Sequence, residues 1–263
     1  MVVALATVLH AQDRTSDLVA KAVRYVQEYE RDFSAVVCEE HQTQRVVKSN
    51  GKVDERRDLV SDVLLVKVGD RTLLFRDVIA VDGRKMGDRQ KRLQTLFLDT
   101  PRTALQQARA IAEESMRYNI GFTRSFSGLL LPLAILRPTR VDGFRFAGDD
   151  LGLTFQEIRS PSLVRHRKGF DLLDMFLRGS LTIDGETGQL RAASLTASND
   201  ELESTVDIRY EESAAVGLLV PVSMEERITR TANPKADRLE VTSTYSAFRK
   251  FQVTVRDEIA VPR

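Results

Sequence analysis

The residues of this chain whose types and spacing could do chemistry are few, and Glu39, Glu40 and His41 form the most suggestive group. Carboxylate and imidazole groups bind metal ions. On a strand, however, adjacent side chains point to opposite faces of the sheet, so Glu40 and His41 cannot converge on one ion. We therefore interpret all three as solvated strand residues, and the sequence predicts no metal or other cofactor.

Two possible nucleophiles are also expected to be inert. Cys38 is the single cysteine and lies in a β-type run, which favours a buried thiol over a reactive one. Ser49 and Lys52 have the Ser-x-x-Lys spacing of penicillin-binding enzymes but fall on a predicted hairpin turn without a Lys-Thr-Gly partner. An enzyme is thus the function with least support, although folding could still bring acidic residues together.

The segment 76–92 is rich in alternating Asp and Arg residues. Paired carboxylates and guanidinium groups that fix a hairpin to the following helix are one interpretation. The alternative is a partner-binding surface for an anionic envelope protein. Under that hypothesis the contacting residues are Arg84, Lys85, Arg89, Lys91 and Arg92.

Composition argues against polyanionic partners. Lys plus Arg number 39 and Asp plus Glu number 38, which leaves a net charge of +1. No global field would draw such a chain to nucleic acid or to an anionic membrane. The hydrophobic fraction of 42% is enough for one sizeable core in a chain of 263 residues.

The amino-terminal residues resemble the end of a secretory signal peptide. The run 2–9 is apolar, small Ala11 follows, and the chain then turns polar at Gln12. We expect a signal remnant at 1–11, cleavage after Ala11, and a single exported domain at 12–263 in the periplasm or outside the cell. No basic residue precedes the run, and a buried strand is the alternative. No later segment has the ~18 apolar residues of a transmembrane helix.

Hydrophobic periodicity predicts a helix first and then strands. A helix capped by Thr15 or Ser16 would bury one face, and strands are expected at 34–47, 56–68 and about 72–82. Asn50-Gly51 and Asp82-Gly83 mark tight turns. The predicted helical face consists of Leu18, Ala22, Tyr25, Val26 and Tyr29.

A helical insertion is expected at about 89–137. It comprises a helix at 89–98, a second that begins at Thr100-Pro101, and the apolar run 128–136. From about residue 142 the chain alternates apolar and polar residues in short strands. We predict an α+β protein with a curled, mostly antiparallel sheet of about ten strands. The sheet would form an incomplete barrel with helices packed on its concave face.

Short phrases spread over most of the mature chain form a recognisable set. They are Phe75-Arg76-Asp77-Val78, Val81-Asp82-Gly83-Arg84, Gly87-Asp88-Arg89 through Leu93, Leu96-Phe97, Leu181-Thr182-Ile183-Asp184 with Thr187-Gly188, Val220-Pro221-Val222, and Tyr245 through Phe251. The set resembles a family of uncharacterised exported proteins of environmental bacteria. More distantly, the strand rhythm after residue 176 resembles envelope lipoprotein carriers of the LolA/LolB type. That resemblance implies an unclosed barrel whose apolar cavity holds acyl chains.

The function hypothesis is therefore a cell-envelope protein that binds or carries a lipid or acylated cargo between the sheet and the helices. A sheet of about ten strands encloses more volume than one short segment fills, so we expect an apolar cavity of roughly 300 Å³ or more. One alternative is that the run 128–136 simply fills the core. The protein would then be a non-catalytic scaffold that binds through the segment 76–92. The expected cavity lining is Leu130, Leu133, Leu136, Leu181, Ile208 and Val222.

Overall fold

The computed structural model describes residues 2–33, 36–68, 71–87, 101–122, 128–149, 152–233 and 235–250. Its helices are α1 (Val2–Phe33), α2 (Pro101–Met116) and α3 (Leu131–Ile135), with 3₁₀ turns at Gly128–Leu130 and Val141–Gly143. Its strands are β1 (Val36–Val47), β2 (Val53–Val68), β3 (Arg71–Val81), β4 (Arg84–Lys85), β5 (Phe144–Asp149), β6 (Gly152–Glu157), β7 (Val164–Lys168), β8 (Asp171–Ile183), β9 (Leu190–Ser198), β10 (Leu202–Ser213), β11 (Leu218–Arg230) and β12 (Arg238–Lys250).

The strands form one open, curled antiparallel sheet. Its order is β4-β3-β2-β1-β12-β11-β10-β9-β8-β6-β5, and β7 pairs with β8 off this path. Every paired strand is antiparallel. Within the described residues the end strands β4 and β5 do not pair with each other, so the predicted unclosed α+β sheet is confirmed. The sheet has 12 strands rather than about ten, and β4, with two residues, is too short to show periodicity.

Helix α1 buries the predicted face on the sheet. Ala22 and Val26 are fully buried, Leu18 and Tyr29 nearly so, and Tyr25 packs partly buried beside them. The predicted start at Thr15 or Ser16 is wrong, because the helix begins at Val2. The Ala and Leu residues before this point are good helix formers. The Thr15 hydroxyl instead accepts a hydrogen bond from the Gly148 backbone N–H at 3.1 Å.

Two contacts fix α1 over the sheet. The turn between β8 and β9 meets the helix at Gly188, which has φ of +77°. A Cβ at Gly188 would lie 2.5 Å from the Lys21 carbonyl carbon, so this close approach requires glycine. Near the other end of the helix, Arg137 donates to Glu30 Oε1 from Nε at 2.7 Å and from Nη2 at 2.5 Å.

The predicted turns and the start of α2 are confirmed. Gly51 has φ of +84°, and Asp82 and Gly83 have φ of +49° and +77°, the signs that a type I′ hairpin turn needs. Helix α2 begins at Pro101 as expected. The helix predicted at 89–98 lies outside the described residues.

The apolar run 128–136 is buried along its whole length, as a 3₁₀ turn followed by α3. It packs with α1 against one face of the sheet, which we call the inner face. A Cβ at Gly128 would lie 2.9 Å from Val206 Cγ1 on β10, so the run rests directly on the sheet there. Most of this run therefore fills the concavity.

Candidate ligand pocket

A pocket of about 710 Å³ remains beside the buried run, on the inner face of β8 to β11. Strand alternation places Leu177, Ala197 and Val206 on that face, and the ladder sets Leu177 directly opposite Ala197. The end of α2 and the residues around Gly128 close the second side, and the β7–β8 hairpin forms the third. The described lining residues are Met116, Gly121, Phe122, Gly128, Leu131, Val164, Arg165, His166, Arg167, Gly169, Leu172, Met175, Leu177, Leu195, Ala197, Leu202, Ser204, Val206, Glu226 and Ile228.

The structure places the six residues of the expected cavity lining in or beside the packed core. All but one are at least nine-tenths buried, and Val222 is half-buried against them. None is among the described residues that line the pocket. The pocket instead begins at Leu131 and Gly128, at the edge of the same core. The six residues are Leu130, Leu133, Leu136, Leu181, Ile208 and Val222.

The mouth of the pocket is an arm built from β7 and the first half of β8. Strand β6 pairs with residues 178–182 of β8, and β7 pairs with residues 171–175 of the same strand. β7 therefore continues the line of β6 beyond the sheet. At the tip of the arm Phe170 is fully exposed, and Leu172 is 45% exposed.

Between the end of β6 and the start of β7, side chains rather than a neighbouring strand bond to the backbone of β8. Buried Glu157 accepts the N–H of Leu177 at 3.0 Å and that of Leu163 at 2.8 Å. The Ser162 hydroxyl lies 2.7 Å from the same carboxylate and 2.8 Å from the Met175 carbonyl oxygen. Buried N–H and C=O groups need such partners. Glu157 thus holds the arm, and with it the pocket mouth, onto β8.

A buried polar cluster lies further along the inner face. Glu40 is fully buried, and its carboxylate meets the Arg76 guanidinium, with Nε to Oε2 at 2.5 Å and Nη2 to Oε1 at 2.8 Å. His41 is exposed and lies 2.8 Å from Glu39. The predicted separation of Glu40 and His41 is confirmed, but the prediction that all three residues are solvated is wrong for Glu40. Glu40 lies on the covered face of β1 together with the buried residues Cys38 and Gln42.

The polar cluster extends along β1. Gln42 donates to Ser243 Oγ at 3.1 Å, and Gln44 donates to Gln42 at 2.8 Å. Gln44 also accepts the Ile120 backbone N–H at 3.0 Å, which ties the chain after α2 to the sheet. Burial lowers the pKa of Arg76, but Glu40, Tyr245 and, more weakly, Glu226 outweigh that effect, so the pKa is raised overall.

The described part of the charged segment, residues 76–87, divides into a buried and an exposed part. Arg76 pairs with Glu40 rather than with a neighbouring Asp, and Asp77 is buried. Asp82 accepts the Asp58 backbone N–H at 2.8 Å, which stabilises the hairpin. Arg84 and Lys85 are exposed on β4. The other proposed partner-binding residues, Arg89, Lys91 and Arg92, lie outside the described residues.

The part of the chain that the structure describes contains no group of three or more His, Cys, Asp or Glu residues arranged to hold a metal ion. Among the same residues, no helix has the length and apolar character needed to span a membrane.

Cys38 should be unreactive in the folded protein. It is buried, and burial, followed by the charges of Glu40 and Asp62, raises the pKa of its thiol to about 12. We expect a maleimide to label Cys38 only after denaturation, because the thiolate is the reactive form. Ser49→Cys, at an exposed turn, provides a rapidly labelled control. Native labelling of Cys38 at the rate of that control would contradict the buried, protonated thiol.

Sequence reasoning missed the arm. The basic stretch 165–168, the Gly169-Phe170 turn and the apolar pair Leu172-Leu173 are a hairpin signal. The pattern of burial on β7, however, is visible only in three dimensions.

No protein-family model and no curated protein matches the sequence. Among solved structures, the chain is similar to a DUF1329 family protein from Desulfovibrio piger. The two share 13% sequence identity with a TM-score of 0.39, and the alignment covers 94% of this chain and 95% of that one. A similarity of this size assigns neither a family nor a function. The resemblance to LolA/LolB carriers stays a prediction.

Proposed function

We propose that this protein binds an apolar or amphipathic ligand, such as a lipid or an acylated cargo, in the cell envelope. The observation that carries the proposal is the pocket of about 710 Å³ on the inner face of the sheet. Pockets that hold small ligands measure about 300–1,000 Å³ and are lined mainly by apolar groups with a few polar ones. This pocket fits that description, because 12 of its 20 described lining residues are Leu, Val, Met, Ile, Phe or Ala.

The position of the pocket supports a ligand-binding site rather than a packing defect in the core. The run 128–136 has already filled the neighbouring concavity, and the pocket lies where the sheet continues beyond that run. The arm residues Arg165, Arg167 and Leu172 line the pocket and are exposed, which supports a ligand route on that side. Export, inferred from the residues up to Ala11, would place this binding site in the envelope.

The proposal is tested by replacing a small residue that lines the pocket with a large one. Ala197 is buried and lines the pocket, so Ala197→Phe should occupy ligand space without straining the core. We expect native mass spectrometry of gently purified wild-type protein to show a bound lipid, and Ala197→Phe to lose it. The melting temperature of this variant should stay close to that of the wild type.

Ala193 provides the matched control. It lies on the same strand and the same face, is equally buried, and is not among the described pocket residues. Ala193→Phe should overpack the filled core and lower the free energy of unfolding by about 1–3 kcal/mol. Equal destabilisation by the two substitutions would show that the pocket is closed in solution. Full ligand retention by Ala197→Phe would overturn the proposed binding site.

A further inference from the structure

We propose that the ligand carries an anionic head group, which Arg165 and Arg167 of the arm bind at the mouth of the pocket. This inference rests on the proposed function and specifies the chemistry of its ligand. Both arginines line the pocket, and both are exposed. They alternate on β7, so they lie on the same face of that strand, whereas Val164 and His166, which also line the pocket, lie on the other face.

The two arginine charges are available for a ligand. In the described part of the chain, neither guanidinium lies within ion-pair distance of a carboxylate. The other two polar residues of β7 both lie near Glu201. Lys168 donates a hydrogen bond to Glu201, and the His166 ring lies 3.9 Å from the same carboxylate. The Lys168 hydrogen bond lowers the pKa of Glu201, so that carboxylate is ionised and offsets the Lys168 charge.

The distribution of polarity across the pocket gives the ligand an orientation. Leu177, Leu195 and Val206 lie on its buried wall, whereas the arginines stand on the exposed arm. Glu226 also lines the wall, where it accepts a hydrogen bond from Ser204 at 3.4 Å. An apolar chain therefore enters towards the sheet, and its head group stays at the arm. Arginine presents a fork of N–H donors that matches a carboxylate or a phosphate and binds either through charge-assisted hydrogen bonds. A cationic head group would meet two positive charges. Asp174 lies opposite Arg165 in the ladder, but it accepts a hydrogen bond from Ser160 and forms no described ion pair with either arginine.

The experiment compares three ligands of equal chain length: palmitate, hexadecyl phosphate and hexadecanol. Binding to the full chain is measured by displacement of a fluorescent fatty-acid analogue at low ionic strength. We expect both anions to bind about tenfold or more tightly than the alcohol, the difference that a charge-assisted hydrogen bond typically makes. The ratio of palmitate to hexadecyl phosphate affinity distinguishes a carboxylate head group from a phosphate one.

The variant Arg165→Gln/Arg167→Gln should lose the preference for anions and keep its affinity for hexadecanol. The control variant Arg145→Gln/Arg159→Gln changes two exposed arginines that are not among the described pocket residues, and it should keep the preference. Added salt should weaken binding of the anions and leave hexadecanol unchanged, a readout that needs no substitution.

The outcomes separate the two proposals. If none of the three ligands binds, the proposed function fails. If all three bind the wild type with equal affinity, ligand binding stands and the anionic head group is refuted. An anion preference that survives in Arg165→Gln/Arg167→Gln would also refute the assignment to these two residues.

Discussion

Replacing Arg76 by Met is expected to lower the free energy of unfolding by about 3–5 kcal/mol, because it leaves the Glu40 carboxylate buried without its counter-charge. Glu40 is fully buried, and its carboxylate is paired with Arg76 on β3. The Met side chain has a similar apolar stem, so lost packing contributes little. Chemical denaturation of the wild type and the variant measures the difference.

A second substitution separates the effect of the unpaired Glu40 charge from the effect of the changed side-chain shape at position 76. In the Arg76→Met background, Glu40→Gln removes the stranded charge and keeps an amide that can still bond to Gln42, whose side chain lies 3.5 Å away. We expect the double variant to be more stable than Arg76→Met alone by at least about 1 kcal/mol, since an unpaired buried charge costs more than a neutral polar group. Equal stabilities would mean that water reaches Glu40.

Glu157→Ala is the second substitution with a large expected effect. It leaves the backbone N–H groups of Leu163 and Leu177 without their acceptor, and Leu177 is 1% exposed. Unsatisfied buried donors cost about 1–3 kcal/mol each, so we expect a loss of about 2–4 kcal/mol in the free energy of unfolding. Glu211→Ala, at an exposed position of β10, should change stability by less than about 0.5 kcal/mol.

The same variant should also affect the pocket. Glu157 accepts hydrogen bonds from Leu163, just before β7, and from Leu177 on β8. β7 forms the mouth of the pocket. Ligand retention in native mass spectrometry should therefore fall in Glu157→Ala at temperatures where the protein is still folded. Wild-type stability together with wild-type ligand retention would show that the carboxylate has no role at the gap.

The strands and turns of this protein were largely predictable because they are local. Apolar alternation identified β1 to β3 and the strands after residue 142, and Asn50-Gly51 and Asp82-Gly83 identified two turns. The face of α1 was also correct, but its start was not. Periodicity shows which residues share a face. A cap residue such as Thr15 shows only where a helix could begin.

The polar cluster and the pocket could not be read from the sequence for one physical reason. Alternation does not reveal whether a face is covered, or by what. Glu40 was assigned to solvent because it is charged, yet its partner Arg76 comes from a strand 36 residues later. The run 128–136 was correctly expected to be buried. How far the run fills the concavity depends on the close packing of Gly128 on Val206. A sequence pattern does not show such a contact.

The arm formed by β7 and the first half of β8 has a consequence for dynamics. Residues 171–175 are paired with β7 on one side, and no described strand pairs with them on the other. Moving β7 away from β8 and the sheet therefore breaks a five-residue ladder, the hydrogen bond from Lys168 to Glu201 and the packing of Val164 on the core, and leaves the ladders of β8 with β6 and β9 intact. Such local opening costs much less free energy than global unfolding. The entrance can thus fluctuate independently of the rest of the sheet, and ligand exchange need not wait for the protein to unfold.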